Sequence, residues 1–192
     1  MSKLKSMLII LGLSAFNHAA IADKAVFAGG CFWCMESDFE KLEGVTDVIS
    51  GFTGGSVVNP TYRGDHTGHY EAVEITYDSK VVTYNQLLDH FWKNIDPFDD
   101  RGQFCDKGHS YLSAIFVANE AEKKLAEQSR KKVVEKFPKQ TVVTPILSAS
   151  IFYPVEGEEC YHQDYYKNNP IRYKFYRYNC GRDKRLKQIW GD

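Results

Sequence analysis

A pair of glycines between a short apolar run and an amphipathic segment constrains this chain more than any other feature. Residues Lys24–Ala28 suit a strand, and Gly29-Gly30 allow a tight turn out of it. Between Cys31 and Leu42 the apolar residues recur at helical spacing, and Gly44 suits the end of a helix. The pattern predicts a strand joined directly to a helix, with Cys31 in the first turn of that helix.

The rest of the chain alternates between strand-like and helix-like segments. We find no internal repeat or linker, so we expect one domain with an α/β (α+β) fold, in which helices pack on a mixed sheet. A long irregular tail is expected from Tyr161 onward. The predicted segments are strand Val45–Phe52, loop 56–68, strand His69–Tyr77, helix Tyr84–Ile95, loop Asp96–Gly108, strand Tyr111–Val117, helix Asn119–Lys136 and strand Leu147–Phe152.

The first 22 residues are typical of a secretory signal peptide. Lys3 and Lys5 precede the apolar run Met7–Phe16, and Ala20-Ile21-Ala22 has the small residues of a cleavage site. The run is too short to remain in a bilayer as a spanning helix. We expect cleavage after Ala22, which leaves residues 23–192 as a single catalytic domain in the periplasm or outside the cell.

The charge balance argues against nucleic acid and membrane surfaces as partners. The chain has 24 Lys and Arg against 25 Asp and Glu, a net charge of −1, which gives no overall attraction to polyanions. Basic and aromatic residues interleave between Ile171 and Trp190, and we interpret that stretch as a solvated surface or a docking face for a reductant. We expect a monomer without a bound metal or cofactor and without stable membrane insertion.

Five cysteines lie beyond the predicted signal peptide, so at least one thiol is unpaired or cycles in an oxidising compartment. At a helix start, free backbone N–H groups and the helix dipole favour a thiolate, so we expect a lowered pKa at Cys31. Cys34 completes a C-x-x-C pair, and redox use is favoured over zinc because no second such pair exists. The five are Cys31, Cys34, Cys105, Cys160 and Cys180.

One carboxylate has an unusual predicted position. The segment His69–Tyr77 alternates like a half-buried strand, and Glu71 heads the same row as Val73 and Ile75. A carboxyl group that faces the core has a raised pKa and can act as an acid near neutral pH.

The residues Gly-Cys-Phe-Trp-Cys-Met-Glu at 30–36 resemble the signature of the A-type peptide methionine sulfoxide reductases. The similarity runs in order through nearly all of residues 25–190, which makes it far more specific than one motif. The further matching motifs are Asn59-Pro60-Thr61-Tyr62, Gly68-His69-Tyr70-Glu71, Tyr77-Asp78, the segment 102–108, Tyr111, the segment 113–116 and Tyr161-His162-Gln163.

The resemblance implies a two-layer ferredoxin-like sandwich that reduces the S epimer of methionine sulfoxide through a cysteine sulfenic acid. It also implies oxidised proteins as substrates, and a thioredoxin-like protein or another dithiol as electron donor. The roles it implies are Cys31 as nucleophile, Glu71 as general acid, Tyr62 and Tyr111 as hydroxyl donors to the sulfoxide oxygen, Asp106 as loop carboxylate, and Phe32 and Trp33 as walls for the substrate methyl group.

A second thiol, or an outside reductant acting directly, must capture the sulfenic acid. We rank Cys180 first as the resolving cysteine, because a mobile late segment could swing over the site, and Cys34 second because it is fixed on the helix. Cys105 is interpreted as a buried loop residue. The sequence assigns no role to Cys160 and leaves His162 a weak candidate.

The chain departs from the family pattern just before Tyr161-His162-Gln163 and in the tail 178–183. The family has a carboxylate upstream of that motif, and here Glu156, Glu158 and Glu159 compete for its place.

Two other functions compete with the reductase. A periplasmic dithiol–disulfide oxidoreductase would use the Cys31–Cys34 pair, and Thr144-Pro145 could mimic the cis-proline of thioredoxin-like folds. A secreted binding module would use a structural disulfide instead. The thioredoxin-like folds of the first alternative do not call for a carboxylate that faces the core at Glu71.

Overall fold

A computed structural model describes residues 23–191, so the predicted signal peptide lies outside the described residues. In chain order its elements are β1 Asp23–Gly29, α1 Phe32–Phe39, β2 Val45–Thr53, β3 Tyr70–Tyr77, α2 Tyr84–Lys93, β4 Gly102–Gln103, β5 Asp106–Lys107, β6 Ser113–Val117, α3 Glu120–Lys136, β7 Ile146–Ser148, β8 Tyr153–Pro154, α4 Tyr165–Asn168, α5 Pro170–Cys180 and α6 Arg182–Trp190. Two short 3-10 helices span His109–Tyr111 and Gly157–His162.

The main sheet has six strands in the order β7-β6-β1-β3-β2-β8. Its four central strands, β6-β1-β3-β2, are antiparallel neighbours, and α1 and α2 connect them in the β1-α1-β2 and β3-α2-β6 units. β7 adds to β6 in parallel, and β4 and β5 form a separate hairpin. The predicted mixed sheet with packed helices is confirmed, and this strand order is that of a ferredoxin-like sandwich.

Alternation along β3 places a carboxyl group in the core. Val73 and Ile75 are fully buried, Glu71 is 2% exposed, and Glu74 on the opposite face pairs with Lys24 at 2.6 Å. The predicted core-facing row is therefore confirmed, and Glu71 lies opposite Phe52 in the ladder with β2.

The C-terminal segment is helical, which corrects the prediction of a long irregular tail. Its chain reverses at Gly181, between α5 and α6, with φ at +71°. Arg182 follows and is only 2% exposed, and its guanidinium donates to the carbonyls of Asn94 at 2.6 Å and Gly29 at 3.3 Å. A buried guanidinium thus anchors this segment on the core. The first rank given to Cys180 as the resolving cysteine assumes that the segment is mobile, and the docked helices do not support that assumption.

Other boundaries differ locally. The first helix ends at Phe39 rather than Leu42, and the strand predicted over Leu147–Phe152 is replaced by two short strands, β7 and β8. The helix predicted from Asn119 is confirmed, with the Asn119 side chain accepting from the Glu122 N–H at 2.9 Å. Within residues 23–191, no helix is long and apolar enough to cross a membrane.

Candidate active site

The turn between β1 and α1 places Cys31 at the helix start. Gly30 has φ +82°, and a Cβ there would come within 2.6 Å of Gln103 Cβ, so only glycine fits. Cys31 occupies the N-cap position and its carbonyl accepts from the Cys34 N–H at 3.0 Å. The predicted position of Cys31 is therefore confirmed.

Cys31 and Cys34 are free, buried thiols that belong to one packed cluster. Burial raises the pKa of Cys31 well above its usual value, and Cys34 adds to this. The hydrogen bond from Cys31 lowers the pKa of Cys34 to about 7 against the effect of burial, and the charges of Arg182 and Arg177 lower it further. The lowered pKa predicted for Cys31 does not hold in this geometry, because burial and the neighbouring Cys34 both disfavour its thiolate.

Glu71 reaches the helix start from β3. One carboxylate oxygen accepts from the Phe32 backbone N–H at 3.1 Å, beside Cys31. Burial raises the pKa of Glu71 to about 8, with the negative charges of Asp106 and Cys34 adding to the effect. Hydrogen bonds from the Phe32 N–H and the Tyr111 hydroxyl oppose it. The carboxyl group is therefore largely protonated at neutral pH and can donate a proton.

One small cavity, of about 60 Å³, joins the residues assigned from the sequence. Every predicted catalytic and substrate-binding residue lines it. A cavity about ten times larger lies along the first half of β2. No cysteine lines that larger cavity, so the small one is the candidate active site. The residues lining the small cavity are Cys31, Phe32, Trp33, Tyr62, Glu71, Asp106, Tyr111 and Tyr176.

An aromatic wall closes one side of this cavity. The Trp33 indole N–H donates to His162 Nδ1 at 3.0 Å, and Tyr165 stacks on the Trp33 ring at 3.8 Å with an interplanar angle of 8°. His162 also lies against Tyr62, with ring centroids 4.0 Å apart. Sequence reasoning left His162 a weak candidate and missed Tyr165, whose contacts join segments far apart in the chain.

Glu159 is the carboxylate that supports Tyr62. Its two oxygens accept from the backbone N–H groups of Tyr62 at 2.7 Å and Arg63 at 2.9 Å. Of the three carboxylates that compete for the place before Tyr161-His162-Gln163, Glu159 is thus hydrogen-bonded to a residue that lines the cavity.

A disulfide joins Cys105 and Cys180 beside the cavity. Cys105 is exposed, which corrects its interpretation as a buried loop residue, while Cys160 is an exposed free thiol. The Cys180 sulfur lies 3.9 Å from an Asp106 oxygen, so the disulfide adjoins a residue that lines the site.

Tyr176 is the cavity residue that the sequence did not single out. Its hydroxyl donates to Asp106, and its ring meets Trp33 edge-on with centroids 5.8 Å apart. The available signal was its spacing of four from Cys180, which places both side chains on one face of a helix.

Neither group of potential metal ligands among the described residues favours a metal. Cys105 and Cys180, which lie beside Asp106, are used in their disulfide. Glu36, Glu40 and Asp164 form the second group, and Lys167 Nζ lies 2.6 Å from oxygens of both Glu40 and Asp164, so a lysine supplies the positive charge there.

Known proteins of similar sequence and fold support the interpretation of the small cavity as an active site. The chain is 49% identical over 188 residues to peptide methionine sulfoxide reductase MsrA 2 of Caulobacter vibrioides, covering 96% of this chain and 94% of the relative. Methionine sulfoxide reductase A of Corynebacterium diphtheriae superposes with a TM-score of 0.70 at 32% identity, covering 78% of this chain and 76% of that one. Reduced Mxr1 of Saccharomyces cerevisiae gives 0.71 at 27% identity, covering 78% and 87%.

The family model of peptide methionine sulfoxide reductase matches residues 23–192, and the solved relatives share the fold. These matches favour the reductase over both alternatives raised by the sequence. The chain therefore belongs to the peptide methionine sulfoxide reductase family, whose members reduce methionine sulfoxide to methionine.

Proposed function

We propose that this enzyme repairs exported proteins by reducing the S epimer of methionine sulfoxide, with Cys31 as nucleophile and Glu71 as general acid. The observation that supports these roles best is their shared cavity, in which Glu71 accepts from the N–H of the residue after Cys31. The same chemistry applies to free methionine sulfoxide.

The first step transfers oxygen from the substrate to Cys31. The Cys31 sulfur attacks the sulfoxide sulfur as its proton passes to the Cys34 thiolate, while Glu71 protonates the oxygen. Methionine leaves, and Cys31 remains as a sulfenic acid. Cys34 has gained one proton and Glu71 has lost one, so atoms and charges balance.

The other lining residues orient the substrate in this proposal. The hydroxyl groups of Tyr62 and Tyr111 donate to the sulfoxide oxygen, and burial raises the pKa of Tyr62 to about 12, so its proton is retained at neutral pH. Phe32 and Trp33 hold the methyl group. Asp106 supports the site through its hydrogen bond with Tyr176.

A second thiol then attacks the Cys31 sulfenic acid, which forms a disulfide and releases water. The direct contact between Cys31 and Cys34 favours Cys34 for this step over Cys180, which is paired with Cys105. When Cys105 and Cys180 are reduced, their thiols attack the Cys31–Cys34 disulfide by thiol–disulfide exchange. This step reduces Cys31 and Cys34 and re-forms the Cys105–Cys180 disulfide. Their pair then passes the oxidation to an external dithiol, which becomes a disulfide.

A thioredoxin-like protein is the electron donor in this proposal. The exposure of Cys105 supports it, because a reductant must approach a sulfur atom closely. Mxr1 has also been solved in complex with Trx2. The export of the enzyme is inferred from residues 1–22, and its monomeric state is part of the same proposal.

Single-turnover kinetics with each cysteine replaced test the proposed roles. C31S is expected to form no sulfide from a methyl sulfoxide, whereas C34S and C180S each form up to one sulfide per enzyme without added reductant. C160S is the matched control and should behave as the wild type. Sulfide formation by C31S, or insulin reduction without sulfide formation by the wild type, would contradict the proposal.

A further inference from the structure

Tyr176 lies at the reacting sulfur as well as at Asp106. Its hydroxyl donates to Asp106 Oδ2, while its side chain lines the small cavity with Cys31 and packs against the Cys31–Cys34 pair. Cys31 lies at the start of α1 and Asp106 in β5. Tyr176 therefore contacts both the cysteine pair and the loop carboxylate.

A phenol has one proton to donate, so Tyr176 cannot donate to both neighbours at once. While Cys31 is a thiol, the proton is free to point to an ionised Asp106. When Cys31 is a thiolate, its sulfur is the better acceptor, since hydrogen bonds to ionised groups are the stronger ones. Burial raises the pKa of Asp106, while the hydrogen bond from Tyr176 lowers it.

The other groups around Cys31 destabilise its thiolate. The Glu71 carboxyl and the Cys34 thiolate raise the pKa of Cys31 together with burial, and the Tyr176 hydroxyl is the neighbour that lowers it. The charged or titratable groups that face this sulfur are Cys34 from α1, Glu71 from β3, Tyr62 from the loop before β3, Asp106 from β5, Tyr111 from the first 3-10 helix and Tyr176 from α5.

The Cys105–Cys180 disulfide joins the two segments that carry Asp106 and Tyr176. Cys180 follows Tyr176 by one turn of α5, and its partner Cys105 directly precedes Asp106. Tyr173 on the same helix face packs against Cys31 and Cys34. This face of α5 is thus held near the cysteine pair by Tyr173 and near Asp106 by the disulfide.

We propose that Tyr176 is a further catalytic residue, whose hydroxyl turns its one proton from Asp106 to the Cys31 sulfur and stabilises that sulfur as the thiolate that attacks the substrate. The inference rests on the proposed role of Cys31 as nucleophile. No bond is made or broken by Tyr176, and its proton stays on the phenol oxygen throughout.

Alkylation of Cys31 by iodoacetamide across pH 6–10 tests this role in protein with the Cys105–Cys180 disulfide intact. Y176F keeps the ring and removes the hydroxyl, so its alkylation curve is expected to move up by on the order of one pH unit, equivalent to about tenfold slower reaction below the midpoint. Peptide mass spectrometry assigns the label to Cys31. Y178F is the matched control, since Tyr178 on the same helix is 82% exposed, and its curve should match the wild type.

The assay needs no sulfoxide, so it separates this inference from the proposed function. An unchanged alkylation curve in Y176F would overturn the role of Tyr176 even if C31S proves inactive. An equal shift in Y178F would overturn it as well, because the effect would then be one of the helix and not of the hydroxyl group. In single turnover, Y176F is expected to slow sulfide formation at saturating substrate, while a change in KM alone would contradict contact with the reacting sulfur.

Discussion

The Phe32 backbone N–H donates to the Glu71 carboxylate at 3.1 Å, which ties the start of α1 to the middle of the sheet. Glu71 is in the core-facing row of β3, and Phe32 follows the N-cap cysteine. Strand alternation and helix capping thereby place a buried carboxyl group beside Cys31, and these two residues are the proposed proton donor and nucleophile. The cost is a carboxyl group in the core, which stays mostly neutral because burial disfavours its charge.

The single-turnover rate of sulfide formation is expected to fall as pH rises through about 8, the raised pKa of Glu71. Above that pH the group is ionised and has no proton for the sulfoxide oxygen. E71Q should be slower by on the order of 10²–10⁴ and should lose this limb of the profile. Rapid-quench measurement of sulfide from pH 6 to 10 provides the check.

E74Q is the matched control for this experiment, because Glu74 is in the same strand on the opposite face and pairs with Lys24. Its profile should match the wild type. If E71Q reacted at the wild-type rate, the proton would have to come from another group.

The sequence predicts those parts of the site that depend on local pattern. The alternation around Glu71 and the glycine turn before Cys31 are both visible in the chain, and both are confirmed. The α5–α6 segment escaped prediction because it docks through Tyr173 and the buried Arg182 and not through an aliphatic stripe. The disulfide joins Cys105 to Cys180 in α5 across 75 residues, so no local sequence pattern predicts it.

E71Q is also expected to stabilise the fold at alkaline pH. The pKa of Glu71 rises from 4.5 to about 8 on folding, so between these values the unfolded chain binds fewer protons and the wild type loses stability as pH rises. Each unit of this difference is worth about 1.4 kcal/mol. Glutamine keeps an acceptor for the Phe32 N–H and removes the titration.

Urea unfolding at pH 5 and pH 9 measures this effect. The difference in unfolding free energy between E71Q and the wild type should be larger at pH 9. An equal difference at both values would mean that Glu71 titrates alike in the folded and unfolded chains.

Replacement of Arg182 by methionine should cost roughly 3 kcal/mol of stability, within the usual range for breaking a buried ion pair. The carbonyls of Gly29 and Asn94 lose a donor, and Asp38 keeps Arg177 at 2.9 Å and Lys41 at 3.8 Å as partners. The pKa of Cys34 should also rise, since the Arg182 charge lowers it. Urea unfolding and the pH dependence of Cys34 alkylation test the two effects separately.

R185Q is the control for R182M. Arg185 is in the same helix and pairs with Asp96 at 2.7 Å, but its side chain is 43% exposed. Its loss should cost less than that of Arg182, about 1 kcal/mol, because the Arg185 end of the pair is exposed and Asp96 keeps the Phe98 N–H as a donor. Similar losses in R182M and R185Q would show that burial of the guanidinium is not what anchors the segment.

The hydrogen bond from Trp33 to His162 should hold the substrate wall in place. Burial lowers the pKa of His162 to about 4, so at neutral pH its Nδ1 is free to accept from the indole N–H. H162L removes this acceptor, and the loss of one hydrogen bond, about 1 kcal/mol, should reduce kcat/KM about fivefold, mainly through KM. H162N returns an acceptor near Nδ1 and should recover most of the loss.

The wild type should show the same defect in acid, because protonation of Nδ1 removes the acceptor as pH falls toward 4. Indole fluorescence of Trp33, measured against a W33F variant, reports this change without turnover. H162L should lack the transition, since it has no group there to titrate. If H162L kept both the wild-type KM and the acid transition, the wall would be held by ring packing against Tyr165 and not by this hydrogen bond.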